Sequence, residues 1–398
     1  MSMSFDLLAT TGIGCVMVFF GKWIVSKIKP LRDWGIPAPV VGGLVVAVIL
    51  CILKLNGILS ITWTSTLSSF FMNIFFTCVG FGFSKSLFIK GKKLAVGITL
   101  SVVLLVLLQG FLGMGLAKVL GIHPVLGIQI GTGALAGGVG TTSAFGPVYE
   151  AMGAVGATEI GVASATLGMI LGSIIGGPLA VLLIKKHNLK PDPADELLKK
   201  ELDSSETPLN TESMLKTVCM ITIIGACGVP IYMILSKIPM IEMPYFIGCL
   251  FAGAIARNVL EALGVSFNLP EIETVEHVSL DIFLAITIMT MDLTKLAGSM
   301  TDMLIILAVV TVATVLFAYF IAFKMYKSDY NGACMVAGFI GMGMGSGSNA
   351  VADERAVMDQ YGYAHLAWVL YPAFSVLVVD IANPLFMSIV PGLFGFGV

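Results

Sequence analysis

The feature that most constrains this chain is a glycine-rich decapeptide at residues 136–145, AGGVGTTSAF, set between segments apolar enough to cross a bilayer. A run of Gly, Thr and Ser cannot form a stable lipid-facing helix, because its backbone amides and carbonyls would go unpaired in hydrocarbon. At membrane depth such backbone persists only where it is buried in protein or lines a water-filled cavity. The stretch is therefore the first candidate for a binding site.

That argument needs the flanks to be membrane sequence, and the composition says they are. With 57% hydrophobic and 12% charged residues and a mean hydropathy of +0.98, the chain lies far from soluble globular proteins. A net charge of −2, with charges in short clusters between apolar runs, excludes a nucleic-acid partner. Cys15, Cys51, Cys78, Cys219, Cys227, Cys249 and Cys334 form no CxxC pair and have no nearby His, so disulfide and zinc readings both fail. No metal or organic cofactor is expected. The first apolar run follows Asp6 with no basic residue before it, so it reads as a first span rather than a cleaved signal.

Spans of the length a bilayer needs, about 20 residues, are expected near 7–25, 36–53, 69–88, 94–120 and 159–184. After a polar stretch, 185–216, they resume near 218–235, 245–263, 278–291, 303–326 and 364–390. The resumption is a repeat. Ile36-Pro37 corresponds to Met243-Pro244, Asn73 to Asp281, Gly138 to Gly343, Gly156 to Gly362, and Gly177-Pro178 to Asn383-Pro384, at an offset of 205 to 208. The expected fold is an all-helical polytopic membrane protein: 1–184 a first half with a re-entrant hairpin near 124–147, 185–216 a cytoplasmic linker, and 217–398 a second half with a hairpin near 331–353.

Five spans per half is odd, so the second half inserts upside down. The positive-inside rule agrees. With both termini outside, the cytoplasmic loops collect Lys27, Lys29 and Arg32, Lys85 to Lys93, Lys185 to Lys216, Arg257, Lys324 and Lys327, against Lys54, Lys118, Lys237 and Lys295 outside. The two hairpins then enter from opposite sides and their tips meet.

Inverted repeats with broken membrane segments mark secondary transporters, whose sites form from unwound backbone and half-helix ends. The first tip offers Gly137, Gly138, Gly140, Thr141, Thr142 and Ser143; the second offers Gly345, Ser346, Ser348 and Asn349. Exposed amides at a helix start suit carboxylates, and hydroxyl, amide and carbonyl oxygens suit a hard cation such as sodium. Close helix packing alone explains the glycines but not hydroxyls and an Asn at matching places. Asp380 lies inside the last span with Asn383 nearly a turn on, so the pair reads as a cation site, a proton relay or a structural staple. Thr141, Asn349, Asp380 and Asn383 make up the expected sodium set.

Other ionisable groups carry blander expectations. Glu159 and its repeat mate His365 cap helix starts. Arg355 pairs with an anionic substrate or belongs, with Asp353 and Glu354, to a solvated cluster. Asp292 is interfacial, and Asp281 faces a cytoplasmic vestibule. His123, His187 and His277 have no metal-ligand spacing.

At these residues the chain resembles the bacterial sodium/glutamate symporter family. IPAPVVGG at 36–43 is similar to that family's IPEPVAGG, AGGVGT at 136–141 to SGGHGT, and residues 157–178 to ATEVAMACATFGLVLGGLIGGP. Residues 343–350 fall where the family has a GLGATPTA-like stretch, Asp380-Ile381 with Asn383 matches DIVN, and His365 has a counterpart. The resemblance implies a homodimeric inner-membrane carrier for glutamate and sodium. In it, a domain holding both hairpins slides, elevator-fashion, against a dimerising scaffold.

Two departures flank the site: Val139 stands for the family's His, and SGSN at 346–349 replaces Thr-Pro-Thr. They leave aspartate, other dicarboxylates and other amino acids open as substrates, and a proton-coupled or exchange carrier for a hydroxycarboxylate such as citrate is the rival. A channel would need a polar stripe along several helices. An intramembrane protease would need a partner for Asp380, and a pump would need GxxxxGK[ST].

Overall fold

The computed structural model describes residues 2–29, 31, 37–64, 66–84, 92–193, 195, 210–237, 245–296 and 300–396. Ile36, Met243 and Pro244 of the repeat register, and Arg32, Lys85, Lys90, Lys199 and Lys200 of the loop cations, lie outside them.

The first half runs α1 (Leu7–Lys27), α2 (Ala38–Leu55), α3 (Thr66–Phe81), α4 (Lys92–Leu120), α5 (Pro124–Ile128), α6 (Gly138–Ala151) and α7 (Ala157–His187). α5 continues through a π-helical turn, Gln129–Gly133. The second half begins with α8 (Thr211–Ala226) and α9 (Gly228–Leu235), one span interrupted at Cys227, then α10 (Tyr245–Ala262) and α11 (Leu269–Met289). It ends with α12 (Met300–Phe317), extended through Ala318–Ala322 and Phe323–Met325, α13 (Tyr330–Gly343), α14 (Gly347–Tyr361) and α15 (His365–Leu393). The element order of the first half thus recurs in the second.

Eight of these helical runs are long and apolar enough to cross a membrane, and the chain is a multi-span membrane protein. Of the other two expected spans, α3 has only 16 residues, and α11 carries Glu271, Glu273, Glu276 and Asp281. Those carboxylates also explain a misplaced boundary. The apolar pattern predicts a span from 278, whereas the helix starts at Leu269 behind Asn268, with Pro270 in its first turn. At the polar stretch 185–216, α7 runs on to His187 and α8 starts at Thr211. One departure from an all-helical chain is a two-stranded parallel pair, β1 (Ser2–Phe5) with β2 (Ser60–Trp63). Phe5 stacks on Trp63 there, with ring centroids 5.1 Å apart.

Glycines decide how closely the helices cross. Gly21 of α1 lies against Ala38 and Gly42 of α2, and at corresponding places Gly228 of α9 lies against Gly248 of α10. Gly80 of α3 touches the Leu250 carbonyl of α10, and Gly43 of α2 touches Ile288 of α11. Within each pair of contacts, residues of the first half map onto those of the second at an offset of 206 to 208. A Cβ at Gly21, Gly42 or Gly80 would run into backbone, which cannot yield as a side chain can. These approaches let van der Waals packing, rather than the hydrophobic effect, hold helices in lipid.

The contacts sort the helices into two bundles. One joins α1, α2, α3, α8, α9, α10 and α11; the other joins α4, α7, α12, α15 and both helical hairpins, α5–α6 and α13–α14. Few contacts link the bundles, chiefly α6 with α11 and α15 with α3. A cavity opens between them.

Candidate functional site

The site is built where the two hairpins turn. Gly131 breaks the first hairpin's entering helix, with ψ −106° inside the π turn. At the tip Gly138 takes φ +68°, a left-handed conformation that other L-residues adopt only with strain. A Cβ there would come within 2.9 Å of the Gly345 carbonyl, so the two tips touch. α6 and α14 both start at these tips, and their N-terminal amides lie beside one cavity.

Polar side chains of the hairpins and of neighbouring helices pin each hairpin in place. Gln129 Nε2 donates to the Thr142 and Ala157 carbonyls at 2.9 and 3.1 Å. Thr132 Oγ1 donates to Asn383 Oδ1 at 2.8 Å, and Asn383 Nδ2 returns a bond to the Thr132 carbonyl at 3.1 Å. In the second hairpin, Gln109 Nε2 donates to the Gly343 carbonyl at 2.7 Å and to Thr314 Oγ1 at 3.0 Å. Asn349 Nδ2 donates to the Met169 carbonyl and Ser173 Oγ of α7 at 3.1 and 2.9 Å. Ser346 caps α14 through its hydroxyl, which accepts from the Asn349 amide at 3.4 Å.

The cavity, about 820 Å³, lies between α3 and α11 of one bundle and the tips and α15 of the other. Gly137, Gly138, Gly140 and Thr141 line it from the first tip, Gly345 and Ser346 from the second, and Asp380 from α15. The remaining sequence-predicted site residues are not among its lining. Thr142 turns its hydroxyl to the Gly138 and Val139 carbonyls. Ser143 lines a second cavity of about 500 Å³ on the other side of α6, with Glu150, Thr158, Glu159, Thr287 and Asp292. Asn349 and Asn383 are the hairpin pegs just described. Ser348 lies in the first turn of α14, its side chain outside the described residues.

The opposite wall is acidic. α11 contributes Glu273, Glu276, His277 and Asp281, at helical spacing on one face. No Lys or Arg is among the described lining residues; Lys22 reaches Asp281 from α1 at 3.4 Å. Glu273 and Glu276 were missed from the sequence because acidic residues at a helix start look solvated. The pegs Gln109, Gln129 and Thr132 carry no signal at all, since a lone polar residue in an apolar run does not reveal its partner.

Other expectations divide. Glu159 is buried, and its Oε1 accepts from the Asp292 amide at 3.1 Å, linking the two bundles rather than only capping α7. Arg355 is exposed and pairs with Asp359 at 3.9 Å, so it is solvated as one reading held. Asp353 and Glu354 are not: both are buried, because α14 turns them into the hairpin's packing face. Arg257, counted as a loop cation, is buried in α10, where it bonds Glu261 at 2.8 Å and stacks over Phe267. No cluster of three or more metal-ligating side chains occurs among the described residues.

Asp292 follows α11 and pairs with Lys54 in the last turn of α2. Partial burial pushes its carboxyl up, but bonds from Lys54 and Thr294 outweigh that and hold it below the usual carboxylate range. A lowered carboxyl contributes stability above its unfolded titration point and loses it as pH falls through the folded one. Lys54→Gln is therefore expected to lower the melting temperature modestly at neutral pH. The difference from the parent protein closes below about pH 3, which thermal unfolding in detergent across pH would read.

Sequence comparison adds an independent line. The family model described as sodium/glutamate symporter matches residues 3–363. The sodium/glutamate symporter of Haemophilus influenzae is 32% identical over 398 residues, covering 98% of each chain. That of Escherichia coli is 32% identical over 392 residues, covering 96% of this chain and 97% of its own. One from Shigella flexneri matches to the same extent.

Proposed function

The chain belongs to the sodium/glutamate symporter family, and from that premise we propose that it carries glutamate across the bacterial cytoplasmic membrane with sodium as the coupling ion. It is a transporter, not an enzyme. The observation that carries the reading is a cavity with two opposed chemistries, helix N-termini on one wall and carboxylates on the other.

Helix N-termini favour anions by roughly 0.3–1 kcal/mol each, and more when partly buried. Glutamate has two carboxylates, and α6 and α14 present two N-termini at adjoining tips. The substrate's carboxylates are assigned to Gly137, Gly138, Gly140 and Thr141 on one side and to Gly345 and Ser346 on the other. Its ammonium group faces the acidic wall. That wall, with Glu273, Glu276 and Asp281, and Asp380 on the tips' own side of the cavity repel an unaccompanied anion and concentrate cations. Sodium entering beside Asp380 and Thr141 removes the repulsion, so each ligand favours the other. Asn349 and Asn383, included in the sodium set from sequence, act first as pegs; reaching a cavity ion would cost them their bonds to α7 and Thr132. Val139 lines the same cavity without a donor, and it is where selectivity among carboxylates is expected to differ from relatives with His.

The recurring element order and the paired glycine contacts support reading the halves as inverted repeats with re-entrant hairpins. With both termini outside, the helix ends at Phe81 and Leu269 that flank the cavity are cytoplasmic. The location of both hairpins in one bundle supports an elevator motion of that bundle against the other, through which a homodimer forms.

Equilibrium binding of labelled L-glutamate to the purified protein tests the site directly. Replacing potassium by sodium is expected to tighten binding by about tenfold or more, a usual size for coupled ligands. Equal affinity in the two salts would remove sodium from the site.

A further inference from the structure

The second hairpin holds a buried acid that the cavity does not use. Glu354, two turns into α14, is 0% exposed, and neither of its carboxyl oxygens has a hydrogen-bond partner among the described residues. Its neighbour Arg355 points outward to Asp359. The carboxyl group lies against Gly338 of α13 and the ring of Tyr371 of α15, so closely that a Cβ at Gly338 would strike both. Tyr371 packs on Tyr326 of α12, with ring centroids 5.8 Å apart, and the Tyr326 hydroxyl is bonded to Ser101 of α4 at 2.6 Å.

The titratable groups facing Glu354 are Asp353 on its own helix, Cys334 on α13, Tyr371 on α15 and Tyr326 on α12. Each is neutral or anionic at every pH, so none can compensate a carboxylate. Asp353 turns away, its Oδ2 lying against Gly176 of α7. An uncompensated carboxylate in such a place is costly by many kcal/mol. A hard metal ion needs a shell of several convergent oxygens, which this pocket lacks. A proton needs only the carboxyl group.

We propose that Glu354 is a proton-binding site: it holds a proton while the second hairpin is packed against α15, and losing that proton to water loosens the packing. The consequence for transport rests on the reading above. Val351, one turn nearer the tip, and Pro372, next to Tyr371, both line the cavity, so loosening at Glu354 moves a wall of the substrate site. The carrier then responds to protons as well as sodium.

The sign follows from linkage. The proton is bound in the folded protein, while an unfolded glutamate, titrating at about pH 4.3, is ionised throughout the neutral range. Stability is therefore lost as pH rises. In thermal unfolding of the full-length protein in detergent, without substrate, the parent protein is expected to melt about 3 °C lower or more at about pH 9 than at about pH 6. Glu354→Gln, an uncharged isostere, and Glu354→Met, apolar and of similar length, are expected to remove most of that drop and to melt above the parent protein at the alkaline end. Sodium-driven uptake should fall about tenfold over the same range in the parent protein and stay level in Glu354→Gln. Identical pH profiles for parent and both variants would overturn the proposal, as would destabilisation of both variants at every pH. Flattened melting profiles without sodium-driven uptake at any pH would uphold the proton site and instead sink the transport reading.

Discussion

Gly138→Ala is expected to cut sodium-driven glutamate uptake by about a hundredfold or more while leaving the protein folded. The residue sits at φ +68° with the Gly345 carbonyl in reach of any added Cβ. A left-handed L-residue costs roughly 1–2 kcal/mol, which a helical bundle of this size tolerates. The tips cannot tolerate the displacement, because the new methyl group pushes apart the two N-termini that are assigned to the substrate's carboxylates. A misplacement of about 1 Å at a positioning contact is worth on the order of a hundredfold. Parent-like melting with lost uptake would locate the defect at the tips. Near-normal uptake would mean that the tips do not hold the substrate.

Asp380→Asn is expected to raise the sodium concentration needed for half-maximal glutamate binding by about tenfold or more. Intramembrane carboxylates are costly and are kept where a cation or proton uses them. Asp380 is the carboxylate of the hairpin-bearing bundle that lines the cavity, so it travels with the tips in the proposed motion. Asparagine keeps its shape and removes its charge, and bonds to charged groups are worth about 1.5–3 kcal/mol, in line with the expected shift. Asp281→Asn is the control. Asp281 lines the cavity from the opposite bundle and is paired with Lys22, whose side chain is 58% exposed, so its loss should shift sodium dependence by about threefold at most. Sodium titrations of the two variants side by side separate a site carboxylate from one that only adds to the field.

What could be read from the sequence follows from which signals survive without tertiary context. Span α1 was expected at 7–25 and runs Leu7–Lys27, because a long apolar run has few alternatives. The hairpin tips were legible for the opposite reason: backbone with so little side chain to cover it, as at Gly137, Gly138 and Gly140, is out of place facing lipid. The repeat register pointed to Gly156 and Gly362, and both take positive φ at the junction from hairpin to long helix.

Charge was the least reliable guide. Arg257 reads as a loop cation and Asp353 and Glu354 as part of a solvated cluster, yet all three are buried, since the neighbouring elements that enclose them are distant in sequence. The same blindness hid Glu273 and Glu276, whose charges line a cavity made by another bundle. Asn349 and Asn383 were recognised as polar groups in a special place. Which way each side chain turns, toward the cavity or toward α7 and Thr132, depends on hydrogen bonds that only the assembled fold provides.

The most direct test of the central claim is uptake of labelled L-glutamate by proteoliposomes holding the purified protein, under inward gradients of sodium, potassium or protons. Accumulation above equilibrium with sodium, absent with potassium and with a proton gradient alone, is the predicted result. Accumulation driven equally well without sodium, or none under any gradient while glutamate still binds, would contradict sodium-coupled symport by this chain.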